Sequence, residues 1–189
     1  RGAAVSARAA TDGPHRQAAA PNQPDAFDQL ERRPPGERDR QMLAALPDLV
    51  RGAVAAAPAM AEHLAGIDPA GVTGFAALGA LPVLRKSDLS ERQHASPPFG
   101  GLTATPIVDL AKIFMSPGPI LEPEGTRPDY WRFGRAMYAA EFRRGDIVHN
   151  AYGYGLFTGG LGFHYGAERL GLTTVPVSGG ATERQVTLM

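Results

Sequence analysis

Apolar residues return at spacings of three and four between positions 42 and 54: Met42, Leu43, Leu46, Leu49, Val50 and Val54. That is the period of a helix with one buried stripe. Helix is expected over 37–65, but in pieces. Pro47 and Pro58 cannot donate an interior helix bond, so each is expected to begin a new piece at its first turn. Gly66 is placed to end the last piece. Short helices are expected at Phe75–Leu78 and Asp88–Gln93, the second capped by Ser87 or Asp88. Residues 95–109 read as a loop leading to a short strand, and a helix at about 129–143 follows, anchored by Tyr130 and Trp131.

The pattern changes at Asp146. Residues 146–151 (Asp-Ile-Val-His-Asn-Ala) form a short β-rich run, and 152–155 (Tyr-Gly-Tyr-Gly) read as a turn. Leu156 to Leu170 suits a helix, with Leu156, Phe157, Leu161, His164, Tyr165 and Leu170 available to a packed face. Gly171 is placed to stop it in the left-handed conformation. Thr173–Val177 is a second strand and Ser178-Gly179-Gly180 a second turn. Strand, turn, helix and strand make a βαβ unit, expected to be parallel, with its ligand side at the carboxyl ends of the strands. The fold class is therefore α/β: a helical amino-terminal region followed by the start of a parallel sheet. A last helix opens at Thr182, which can cap it, with Glu183 in its first turn. Its early stop suggests a truncated product. An unfinished sheet leaves an edge bare, so self-association or a completing chain is expected.

Composition narrows the partners. Nineteen Lys and Arg balance nineteen Asp and Glu, so no net field favours nucleic acid or an anionic membrane. There is no cysteine, hence no disulfide and no thiolate chemistry. The apolar runs are too short to span a bilayer, and a cytoplasmic location is expected. Residues 1–26 read as a disordered extension and 27–189 as the domain. Of 17 prolines only Pro176 lies beyond residue 144, whereas ten glycines do, so the back of the chain is a glycine-rich unit.

Two readings compete at the glycine turn. Gly153-x-Gly155-x-x-Thr158 nearly matches a dinucleotide fingerprint, but its third glycine is Thr158, and no acid stands at the end of the second strand to hold a ribose. Dinucleotide binding is the weaker reading. Tyr152, Tyr154 and Phe157 at a strand's carboxyl end could instead line an apolar slot for a flat aromatic ligand, although core packing would use the same residues. His149, His164 and His94 lack metal-ligand spacing and read as packed or surface histidines. Glu122 and Glu124 flank Pro123 in what reads as a solvated loop.

From Gly145 to Gly162 the chain (GDIVHNAYGYGLFTGGLG) resembles the bacterial phenylacetate–coenzyme A ligases, and the likeness continues through 164–171 (HYGAERLG) and 175–185 (VPVSGGATERQ). Residues 81–89 (LPVLRKSDL) are similar to that family's approach segment. The resemblance covers about 27–189 and implies the amino-terminal part of the large domain of an adenylate-forming enzyme. Such enzymes use ATP, magnesium and coenzyme A to turn an aryl acid into an acyl-adenylate and then a thioester. It also implies that Tyr152 and Phe157, with Tyr154 beside them, hold the aryl ring. The family's phosphate loop corresponds to 114–123, where Ser116, Gly118 and Pro123 keep their places. Pro119 and Ile120 stand for two threonines, Leu121 for a glycine and Glu122 for a lysine. Each charge-assisted hydrogen bond lost this way costs about 1.5–3 kcal/mol. The resemblance therefore leaves two outcomes open: an acid–thiol ligase segment, or an inactive remnant that binds aryl acids.

Overall fold

The computed structural model describes residues 25–189. The proposed extension lies outside them except for Asp25 and Ala26. The front is helical: α1 (Pro35–Ala56), α2 (Pro58–His63), α3 (Phe75–Gly79) and α4 (Leu89–Ala95). A hairpin of β1 (Lys112–Ser116) and β2 (Ile120–Glu124) follows, then α5 (Phe133–Ala139). The back consists of β3 (Ile147–His149), α6 (Thr158–Leu170), β4 (Thr173–Val175) and α7 (Thr182–Leu188). β1 and β2 pair antiparallel, with Ser116 opposite Ile120 and Lys112 opposite Glu124. β3 and β4 pair parallel across α6, with Val148 beside Thr174, so the βαβ unit is present.

Several boundaries differ from the sequence reading. Pro47 lies inside α1 and does not start a new piece. A proline forfeits one backbone donor, and burial of Leu46 and Val50 on either side of it holds the helix together. Pro58, in contrast, does open α2. On α1 the packed stripe is Leu43, Leu46, Val50 and Val54, whereas Met42 and Leu49 are exposed, one residue round the helix from that stripe. Asp88 precedes α4 without capping it through its side chain. The helix expected at 129–143 spans only 133–139, since Asp129 and Arg132 take left-handed backbone before it. Thr182 is the first residue of α7 and not its cap, which is Ala181. Gly171 does end α6, at φ 70° and ψ 34°.

Among the described residues, two apolar clusters hold the fold. Leu46, Val50, Leu64 and Val72 gather the front helices. Met137, Val148, Ala167 and Leu172 bind α5, β3 and α6. The buried face of α6 is made of its smallest residues (Gly159, Gly160, Gly162, Gly166 and Ala167) and not of the large ones expected. The reason is proximity to α5: a Cβ on Gly166 would stand 2.7 Å from Phe133 Cβ and 2.9 Å from the Gly134 nitrogen. Gly166→Ala is expected to destabilise by about 1–3 kcal/mol through overpacking. Gly52→Ala, in open space on α1, is expected to stabilise by about 0.5–1 kcal/mol. Urea midpoints of the two variants should move in opposite directions.

Candidate functional site

The carboxyl end of β3 is organised by Asn150, a buried residue with no assigned role in the sequence reading. Its side-chain amide donates to the Tyr154 hydroxyl at 2.7 Å and to the Gly160 carbonyl at 2.8 Å. Its side-chain oxygen accepts from the Tyr152 amide at 3.2 Å. Through its backbone it also donates to Val175 and accepts from Ser178. Its side chain thus ties the first glycine turn to the first turn of α6, and its backbone carbonyl joins the second glycine turn at Ser178. The signal that could have found it is an Asn closing an apolar strand just before a glycine turn, since a polar group there must be satisfied.

Gly160 seats α6 on that turn. Its amide donates to the Gly153 carbonyl at 3.2 Å, and a Cβ on it would lie 2.3 Å from the same oxygen. Tyr152 and Phe157 are consequently turned outward, 52% and 51% exposed. Their rings stack, with centroids 6.4 Å apart and 24° between planes. Tyr152 also stacks on Phe163 at 5.3 Å, and Phe163 leans on Phe133 at 4.6 Å. The geometry is a shelf open on one side. Tyr154 is separate from it: its hydroxyl lies 3.2 Å from His164 Nδ1, and His164 Nε2 lies 3.3 Å from Glu168. Burial holds the Tyr154 phenol above the usual tyrosine range, so it remains protonated.

The hairpin abuts this shelf. The Met115 amide of β1 donates to the Leu156 carbonyl at 2.9 Å, which ties the strand that ends at Ser116 to the residue preceding Phe157. Gly118, at φ 155°, makes the bend, where a Cβ would meet Ile120 at 2.8 Å. Ser116 Oγ is buried and without a hydrogen-bond partner. Glu124, expected in solvent, is instead 2% exposed, and Glu122 is half-buried. Trp131 donates to Glu124 at 2.6 Å and the Lys112 ammonium lies 3.2 Å away, because a carboxylate can be buried only when its oxygens are occupied. Lys112 also lies 5.0 Å from the centre of the Tyr165 ring. Tyr130 and Trp131 pack edge to face, and Trp131 does the same with Phe114, so they anchor the hairpin as well as leading into α5. His149 Nε2 is buried without a partner and His94 is exposed. Among the described residues no three of His, Asp or Glu group so as to hold a metal ion.

With this geometry in view, likeness to known proteins is informative. The phenylacetate-coenzyme A ligase of Thermus thermophilus is 48% identical over 132 residues, which cover 66% of this chain and 28% of that enzyme. The enzyme of the same name from Escherichia coli is 39% identical over 132 residues. The chain is homologous to the phenylacetate–coenzyme A ligases. It spans under a third of the length of these ligases. A 2-hydroxyisobutyryl-CoA ligase solved in complex with 2-HIB-AMP and CoA superposes with a TM-score of 0.80 at 29% identity, covering 89% of this chain and 43% of that one. The same ligase in its postadenylation state gives a TM-score of 0.77 at 30% identity, covering 82% of this chain. No family model matches the chain. Among the described residues no helix is long and apolar enough to cross a membrane.

Replacing Asn150 by Ala leaves a phenol, a carbonyl and an amide to find water, and is expected to cost about 2–4 kcal/mol in urea unfolding. Tyr154→Phe removes one acceptor and should cost about 1 kcal/mol. The Lys112 ammonium, held by Tyr165 and Glu124, has its pKa raised. Its stabilising contribution is complete below the ordinary lysine value and is lost as pH climbs through the raised one, above about 10.4. The melting temperature should therefore fall more steeply in that alkaline range than it does for Lys112→Gln.

Proposed function

We propose that this chain is the aryl-carboxylate-recognising segment of an acid–coenzyme A ligase, and that by itself it binds the acid without activating it. The observation that carries this reading is the stacked Phe157–Tyr152–Phe163 shelf at the carboxyl end of β3, beside the hairpin. An aryl ring laid on two half-exposed rings gains offset stacking and removes apolar surface from water. Gly153 and Gly155 leave room there, since a Cβ on either would meet nothing within 4 Å.

The second half of the reading concerns the hairpin. A carboxylate is a poor acylating agent until it is joined to a better leaving group, which ATP supplies in ligases of this kind. The residues here do not fit a triphosphate. Ser116 Oγ is directed into the protein, Pro119 has no N–H, and Glu122 places a carboxylate in the same hairpin. Anion binding at a tight turn needs converging donors, and this turn offers few. We therefore assign the chain recognition and positioning of the acid, and no step of its activation. The rival reading is a ligase segment that acts with further residues or another chain. It is favoured by the solved relative that superposes well and holds an acyl-adenylate and CoA.

Calorimetry with phenylacetate and a pyrophosphate-release assay with phenylacetate, ATP and magnesium separate the two. The expected outcome is saturable phenylacetate binding without pyrophosphate release, with Phe157→Ala weakening binding about tenfold through loss of ring contact. Pyrophosphate release dependent on phenylacetate would establish the rival. Absence of phenylacetate binding would overturn the shelf assignment.

A further inference from the structure

The hairpin has two edges. The β1 edge faces the aromatic shelf through Met115 and Leu156, and the β2 edge opens on a different feature, a cavity of about 620 Å³. That volume is in the range of small-molecule sites, which is about 300–1,000 Å³. Its apolar walls include Leu84, Leu89, Phe99, Leu102, Ile120 and Trp131. Gln93 of α4 fixes its rim: the side-chain amide both donates to and accepts from the Leu121 backbone, each at 2.8 Å. The next residue outward on that edge, Pro123, has no donor. Leu121 is therefore already satisfied and Pro123 cannot donate, so an added β-strand is disfavoured here and a small molecule fits better.

Two charged side chains reach this cavity, half-buried Glu122 and exposed Lys86, and neither has an ion-pair partner among the described residues. The asymmetry of exposure decides the charge of the ligand. An exposed ammonium gains little from an anion, because water already solvates it. A half-buried carboxylate in a wall that includes Trp131 gains more from a cation, whereas the Tyr130 ring already has the Arg127 guanidinium 5.4 Å from its centre. We propose that this cavity binds an amine carried on a compact apolar body, the ammonium paired with Glu122 and the body against Phe99, Leu89 and Trp131. The site is separate from the aromatic shelf and selects the opposite charge.

Trp131 is the sole tryptophan of the sequence and forms part of the wall, so its emission reports occupancy. The whole chain is titrated with phenethylamine, phenethyl alcohol and hydrocinnamate. The expected result is a saturable change in Trp131 emission with the amine, about tenfold tighter than with the alcohol or the acid, as for a charge-assisted contact. E122Q should weaken the amine about tenfold with unchanged far-UV circular dichroism, because no partner of the carboxylate is lost in the fold. Lys86→Gln should leave amine affinity unchanged or raise it, and Phe157→Ala should leave it untouched. The proposal is overturned by the absence of a saturable change, by equal affinity for the alcohol, or by a folded E122Q that binds as well as the parent. Preference for the acid that Lys86→Gln abolishes would also overturn it. So would loss of amine binding in Phe157→Ala, which would put the ligand on the shelf.

Discussion

The close seating of α6 on the glycine turn decides much of what surrounds it. With the Gly160 amide on the Gly153 carbonyl and a virtual Cβ only 2.3 Å from that oxygen, the first turn of the helix has no room for a side chain on its inner side. The same crowding reaches the rings. A Cβ on Gly159 would lie 2.6 Å from Phe157 and 2.9 Å from Tyr152, so the aromatics occupy the space those missing side chains vacate and spill outward. A shelf results because bulk cannot go inside. Further along α6 the same rule admits α5, whose Phe133 and Met137 fill the groove above Gly162 and Gly166.

Polar groups then fix what packing leaves loose. Asn150 meets five partners across the two turns, and in a buried setting each is held because losing it would leave an unsatisfied group. Glu124 does the same for the hairpin, joining Trp131 and Lys112 and thereby setting the angle between β2 and the segment that enters α5. The Met115–Leu156 backbone hydrogen bond then holds the hairpin and the turn as neighbours. The second apolar cluster meets the site through Phe163, which packs against it and carries the Tyr152 ring.

The functional picture is one of divided edges. In the proposed reading, one edge of the hairpin carries the aromatic shelf that takes the ring of an aryl acid. The other carries the cavity lined by Glu122 and Trp131, which we propose takes an amine. Between them lies a turn whose hydroxyl is directed inward and whose proline has no donor, a poor cradle for phosphate. Homology to ligases more than three times the matched length supplies the context for the first edge but says nothing of the second.

Much of the architecture was legible in the chain itself. The β-rich run at 146–151, the glycine turn, the stop at Gly171 and the second strand follow from local chemistry: β-branched residues favour extension, and left-handed backbone favours glycine. The order of elements, and hence a parallel pair, followed from that spacing. Local rules misjudged the places where a partner element overrides them. Pro47 stays helical because residues on both sides of it are buried, and the packed face of α6 is glycine because α5 is there to meet it. Glu124 resembles a loop acid until Lys112, twelve residues earlier, is brought opposite it by strand pairing. Whether Tyr152 and Phe157 would face inward or outward could not be read from their neighbours in sequence. Only the approach of Gly160 to Gly153 decides it, because the volume left beside a turn is set by what the fold packs against it.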